Sequence, residues 1–124
     1  MKIKESAENY LEAILMIKKK NGYVRSIDVA NELGVTKPSV SVAMRNFREE
    51  GYIIVDEGGG ISLTDKGLEI AERVFERHGV IAQALILIGV DEKTALEDSC
   101  KIEHDISQQT FEKLKEYINK NSRN

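Results

Sequence analysis

A single cysteine and a single proline occur in 124 residues, tryptophan is absent, and aromatic side chains make up only 6%. One cysteine closes no internal disulfide, which points to a reducing, cytoplasmic setting. No stretch approaches the roughly 18 consecutive apolar residues of a membrane span. The opening Met1-Lys2-Ile3-Lys4-Glu5 lacks the apolar segment of a secretory signal. Internal repeats and low-complexity tracts are missing as well. So is any excess of positive charge. The net charge is −3, with 10 basic and 12 acidic side chains in the first 72 residues and 8 and 9 in the rest. A sequence-independent nucleic-acid coat is thereby excluded, and DNA binding has to come from a local motif. What is present, 41% hydrophobic and 31% charged residues, is globular composition, enough for one domain or two small ones sharing a core.

Apolar residues at Ala7, Tyr10, Leu11, Ile14 and Ile17 predict a helix over 6–20 with one buried face. Lys18-Lys19-Lys20 suit its C-terminal end, and Asn21-Gly22 stops it. A short helix is expected from Ile27, capped by Ser26 and ending at Gly34. Thr36 caps a third, with Pro38 in its first turn where a missing N–H is harmless. That helix runs to about Glu50 and stops at Gly51. Residues 52–55 and 61–63 flank Asp56-Glu57-Gly58-Gly59-Gly60, a hairpin with a flexible glycine tip. A long helical stretch follows from Asp65 to about Ile88, with a break expected near Gly79, and Gly89-Val90-Asp91 forms a loop. Helices over about 92–106 and 108–119 close the chain, and residues 119–124 look frayed.

Helix, turn, helix, then hairpin is the order of a winged helix-turn-helix. In Ser26-Ile27-Asp28-Val29-Ala30-Asn31-Glu32-Leu33-Gly34-Val35-Thr36-Lys37-Pro38-Ser39-Val40-Ser41, Ala30 allows close helix approach and Gly34 makes the turn. Val35 and Val40 are expected to pack inward. Thr36, Ser39 and Ser41 lie at the N-terminal end of the second helix, the end that enters the major groove in such motifs and whose N–H groups favour phosphate. Arg45 or Asn46 is placed to read bases, and Lys37 and Arg48 to touch phosphate. The alternative use of such a fold is protein–protein contact.

Ser99-Cys100-Lys101-Ile102-Glu103-His104 holds the only cysteine and one of the two histidines. On a helix, positions 100, 103 and 104 share one face. A thiolate, a carboxylate and an imidazole are donors that a divalent transition metal accepts. The competing reading is a small buried hydrophobe beside a solvated Glu-His pair. Three ligands also leave a shell incomplete. His78 and the acidic positions of the first helix, Glu5, Glu8 and Glu12 with Asn9, are the available complements. Use of Cys100 with His104 as a thiol enzyme lacks an orienting third group.

Taken together, Ser6-Ala7-Glu8-Asn9-Tyr10-Leu11-Glu12, the winged helix, Glu76-Arg77-His78, Ile88-Gly89-Val90-Asp91 and Cys100 through Ser107 resemble the DtxR/MntR family of metal-dependent transcriptional repressors, in the same order along nearly the whole chain. The resemblance implies a mainly α fold with a small β-hairpin wing. Residues 1–72 would form a winged-helix DNA-binding domain and residues 73–124 a helical metal-binding and dimerisation domain. It implies a non-enzymatic, cytoplasmic homodimer that binds double-stranded operator DNA when loaded with Fe2+ or Mn2+ and controls metal-homeostasis genes, with no membrane or organic substrate as partner. Zn2+, Co2+ or Ni2+ would substitute in vitro. The rival is a metal-independent winged-helix regulator.

The family's metal positions fall on Asn9, Glu12, His78, Cys100, Glu103 and His104. Asn9 stands where relatives usually have a carboxylate or thioether, so Glu8, Glu5 or water is the alternative donor there. DNA contacts are expected from Thr36, Lys37, Pro38, Ser39, Ser41, Arg45, Asn46 and Arg48. Ala82 and Leu96 offer no side-chain donor, which argues against a second ion of the iron-type arrangement. The SH3-like domain of longer relatives finds no room in this chain. The dense apolar run Val80-Ile81-Ala82 and Ala84-Leu85-Ile86-Leu87-Ile88 suggests a subunit interface.

Overall fold

The apolar spacing of the first helix is realised in the computed structural model, which describes residues 5–121. Helix α1 (Glu5–Asn21) buries Leu11, Ile14 and Ile17. Gly22 ends it in the left-handed region at φ 78°, its N–H bonded to the Lys18 carbonyl at 2.8 Å. Helices α2 (Ser26–Leu33) and α3 (Lys37–Glu49), the strands β1 (Ile53–Val55) and β2 (Ile61–Leu63), and the helices α4 (Asp65–Leu87), α5 (Glu92–Ile102) and α6 (Gln108–Asn121) follow. The chain divides between Arg73 and Val74 into two compact units. Among the described residues no helix is long and apolar enough to cross a membrane.

The first unit is a winged helix-turn-helix. Its core joins Leu11, Ile14 and Ile17 of α1 to Val29 and Ala30 of α2, Val40, Met44 and Phe47 of α3, and Ile53 and Ile61 of the hairpin. Each fully buried aliphatic side chain stabilises by about 1.5–3 kcal/mol relative to exposure. Phe47 packs edge-on against Tyr10 and Tyr52, with centroids 5.9 and 6.3 Å away. Gly34 takes φ 66° between α2 and α3. Two expectations for this motif need correction. The cap of α2 is Arg25 rather than Ser26, because the Asp28 carboxylate accepts the Arg25 backbone N–H at 2.9 Å and draws Ser26 into the helix. Val35 is 37% exposed rather than packed inward. Its N–H closes the turn onto the Ala30 carbonyl at 3.1 Å, and only Val40 fills the core.

β1 and β2 pair antiparallel, Ile53 with Leu63 and Val55 with Ile61. The connecting tip is organised rather than a loose glycine run. The Asp56 carboxylate accepts from the N–H groups of Gly58 and Gly60 at 2.9 and 2.8 Å. The Arg25 guanidinium donates to the Gly58 carbonyl, and the Ile61 N–H to the Val24 carbonyl at 2.8 Å, so the α1–α2 connection anchors the wing.

The second unit contains the end of α4, α5 and α6, and Val74, Ile81, Ala82, Ala95, Phe111 and Ile118 are buried in it. α4 runs unbroken through Gly79. One glycine costs a helix about 1 kcal/mol, too little to interrupt turns with Val74, Ile81 and Ala82 buried on either side. α5 stops at Ile102, not near 106. The Ser107 hydroxyl accepts the Thr110 N–H at 3.1 Å and starts α6, so residues 103–107 become a turn between helices. α6 continues to Asn121, two residues past the expected end, and residues 122–124 of the expected frayed tail lie outside the described residues.

Two consequences are measurable. A Cβ at Gly67 would fall on the Tyr52 carbonyl oxygen, so Gly67→Ala is expected to lower the unfolding free energy by about 1–3 kcal/mol; urea denaturation matching wild type would contradict this packing. Asp91 caps α5, and hydrogen bonds from the Thr94 N–H and hydroxyl hold its carboxyl below the ordinary 3.8. Its folded pKa is depressed, so its stabilisation is fully present above that ordinary value and is lost as pH falls below it through the folded pKa. Asp91→Asn keeps a good cap and should flatten the fall of stability in that acid range, as read by thermal unfolding.

Candidate metal centre and DNA-reading helix

In the second unit, α4 presents His78 and the last turn of α5 presents Cys100. The Cys100 sulfur lies 3.4 Å from His78 Nε2 and 3.7 Å from Nδ1. Glu103 is the C-cap of α5, its N–H bonded to the Ser99 carbonyl at 3.1 Å, and it is 2% exposed. His104 Nε2 sits 3.3 Å from Glu103 Oε1. A His78 nitrogen and a Glu103 carboxylate oxygen lie within 4.8 Å of each other.

These separations can be tested against a shared ion. Metal–sulfur and metal–nitrogen bonds of about 2.3 and 2.1 Å place sulfur and nitrogen about 3.1–3.6 Å apart across 90–109° angles. The 3.4 Å from the sulfur to Nε2 falls in that span and the 3.7 Å to Nδ1 lies outside it; nearly equidistant from both nitrogens, the sulfur rests against the ring. Thiol, imidazole and carboxylate are donor types that a divalent transition ion takes, and in the second unit they meet in pairs, Cys100 with His78, His78 with Glu103 and Glu103 with His104.

The expected helical face continues to Glu103, which keeps helical φ −57° and ψ −26° as the C-cap. Cys100 is helical and exposed, whereas His104 stands in the turn after α5. Two contributors escaped the sequence reading. Leu96 has no side-chain donor, but its carbonyl lies 3.1 Å from His78 Nε2 and accepts the Ser99 hydroxyl at 2.9 Å; a backbone atom leaves no signal in a side-chain pattern. Arg77 donates to the Ile106 carbonyl at 2.9 Å and covers the Phe111 ring at 5.4 Å; its only sequence signal is adjacency to His78.

Asn9 and Glu12 lie on α1 in the first unit, three residues apart, Asn9 half-buried and Glu12 only 5% exposed. Glu12 is therefore not on a solvated face of α1, as its neighbours Leu11, Ala13 and Ile14 are buried with it. Glu8, considered as a substitute for Asn9, is engaged by Arg73 at 3.0 Å. The side chain of Glu5 lies outside the described residues.

On α3, Thr36 caps the helix by accepting the Ser39 N–H at 3.3 Å. Val40, Met44 and Phe47 face the core, which turns Lys37, Pro38, Ser39, Ser41, Arg45, Asn46 and Arg48 to solvent. Ser41, Arg45 and Arg48 also line a cleft of about 210 Å³ with Ser26, Met44 and Val55. Ser26 joins this basic rim only because the start of α2 lies beside α3, a tertiary fact.

Family models match both parts of the chain: the iron-dependent repressor N-terminal DNA-binding domain over residues 2–61, and the iron-dependent repressor metal-binding and dimerisation domain over 64–124. The chain belongs to the iron-dependent repressor family. This is a family of metal-dependent, DNA-binding transcriptional regulators rather than enzymes, built from a DNA-binding and a dimerisation domain. It is 36% identical over 118 residues to an uncharacterized HTH-type transcriptional regulator of Methanocaldococcus jannaschii, covering 94% of each chain. It is 34% identical over 113 residues to the HTH-type transcriptional regulator MntR of Bacillus subtilis, covering 91% of this chain and 80% of MntR. Among solved structures, IdeR of T. acidophilum superposes with a TM-score of 0.81 at 24% identity, over 96% of this chain and 55% of that one. That likeness shows the fold, and this chain spans about half of that protein's length.

Proposed function

We propose that this chain is a cytoplasmic repressor that binds operator DNA as a homodimer when loaded with Fe2+ or Mn2+ and controls genes of metal-ion homeostasis. The observation that carries the reading is the Cys100–His78 contact at 3.4–3.7 Å beside buried Glu103 and His104, in a chain that also exposes a reading helix. In this proposal Glu12, His78, Cys100, Glu103 and His104 hold the ion, with Asn9 as a weaker neutral donor, and the ion supplies positive charge and a fixed ligand geometry. Cys100 favours Fe2+, Glu12 and Glu103 suit Mn2+ equally, and Zn2+, Co2+ or Ni2+ bind in vitro through the general affinity order.

The chain's own residues do the rest. Residues 1–72 read DNA and residues 73–124 bind metal and pair with a second copy. Ile86, Leu87 and Ile88 are 44, 52 and 77% exposed, an apolar surface suited to a subunit interface. A dimeric helix-turn-helix has to present its reading helices about 34–36 Å apart. In the proposal, ion occupancy sets that spacing and so raises DNA affinity by linkage. Thr36, Pro38, Ser39 and Ser41 bring the α3 N-terminus to the groove, Arg45 and Asn46 reach base edges, and Lys37 and Arg48 meet phosphates.

Fluorescence anisotropy with operator DNA tests this reading. Affinity is expected to rise at least 10-fold with Mn2+ or Fe2+; equal affinity with and without metal points to the metal-independent regulator instead. Arg45→Ala should cost about 1–3 kcal/mol and relax specificity, whereas Lys37→Ala should reduce the salt slope by about 1 without changing sequence preference.

A further inference from the structure

We propose that Arg77 is a positioning residue of the metal centre, tying the turn that carries Glu103 and His104 to the same part of α4 that carries His78. The inference rests on the site reading above. Glu103 caps the end of α5 and His104 lies in the turn beyond it. They occupy the segment between α5 and Ser107, which starts α6. Backbone bonds hold its near side, Glu103 N–H to Ser99 and Asp105 N–H to Ile102 at 3.1 and 2.9 Å. At its far side the Ile106 carbonyl accepts from Arg77 at 2.9 Å.

His78 and Arg77 are consecutive, so their side chains leave α4 about 100° apart. One meets Cys100 at the start of the segment and the other meets Ile106 at its end. The Arg77 plane is fixed further by Phe111, which is 4% exposed. Its Nε is buried and makes no hydrogen bond among the described residues. A guanidinium serving only as a solvated surface charge would turn that group to water. Here the side chain is committed to one carbonyl and one ring, the way outer residues set the position of ligand-bearing segments.

The test compares wild type with Arg77→Met, Arg77→Gln and Arg77→Lys for Co2+ affinity, the absorption spectrum of bound Co2+, and thermal unfolding of each metal-free chain. Met and Gln are expected to bind Co2+ about 10–100-fold more weakly, with an altered spectrum and near-wild-type metal-free unfolding. Lys keeps a donor of similar reach and should recover much of the affinity. Gln retains a polar end and decides the matter if Met does not fold. Wild-type affinity and spectrum in Met or Gln overturn the proposal, as does a loss of affinity that only follows lost metal-free stability. A wild-type chain that takes up no Co2+ overturns the site reading itself, and the proposal with it.

Discussion

A carboxylate taken out of water demands a positive partner, and Glu103 at 2% exposure makes that demand at the centre of the second unit. His104 stands 3.3 Å from it, and the divalent cation of the proposed site would balance its charge. Cys100 and His78 bring a thiol and an imidazole into contact in the same unit. Burial of a carboxylate and the donor types beside it are what the proposed ion rests on.

The first unit answers a different constraint. A helix that reads DNA must bury one side firmly and leave the other bare. Val40, Met44 and Phe47 anchor α3, so the polar and basic residues of the opposite side are presented without strain. The wing is fastened rather than free, through Asp56 to its own glycines and through Arg25 and Val24 to the α1–α2 connection. Affinity in an acidic chain then rests on where a few cations stand, not on how many there are.

Much of the fold was legible in local signals. Apolar periodicity located α1, the Thr36 cap with Pro38 and the Gly51 stop located α3, Gly34 with Thr36 marked the turn between helices, and short apolar runs on either side of the glycine tip located the hairpin. Failures came where tertiary or competing local bonds decide. Val35 is apolar yet exposed, because the turn geometry points it outward. Ser26 was displaced as a cap by the Asp28 carboxylate, and Gly79 failed to break a helix buried on both sides of it. The end of α5 carries neither glycine nor proline, and only the Ser107 cap of the next helix sets it. At the candidate site, residue types and spacing singled out Cys100, Glu103, His104 and His78, and the second unit pairs Cys100 with His78 and Glu103 with His104. The Leu96 carbonyl, the pinning role of Arg77 and the burial of Glu12 were not legible, since each depends on what packs against it.

The most direct test is X-ray absorption of the Zn2+-loaded chain. The account predicts one sulfur at about 2.3 Å, with the remaining shell of nitrogen and oxygen at about 2.0–2.2 Å, and loss of the sulfur shell in Cys100→Ala. A shell of nitrogen and oxygen alone in the wild-type chain would contradict it.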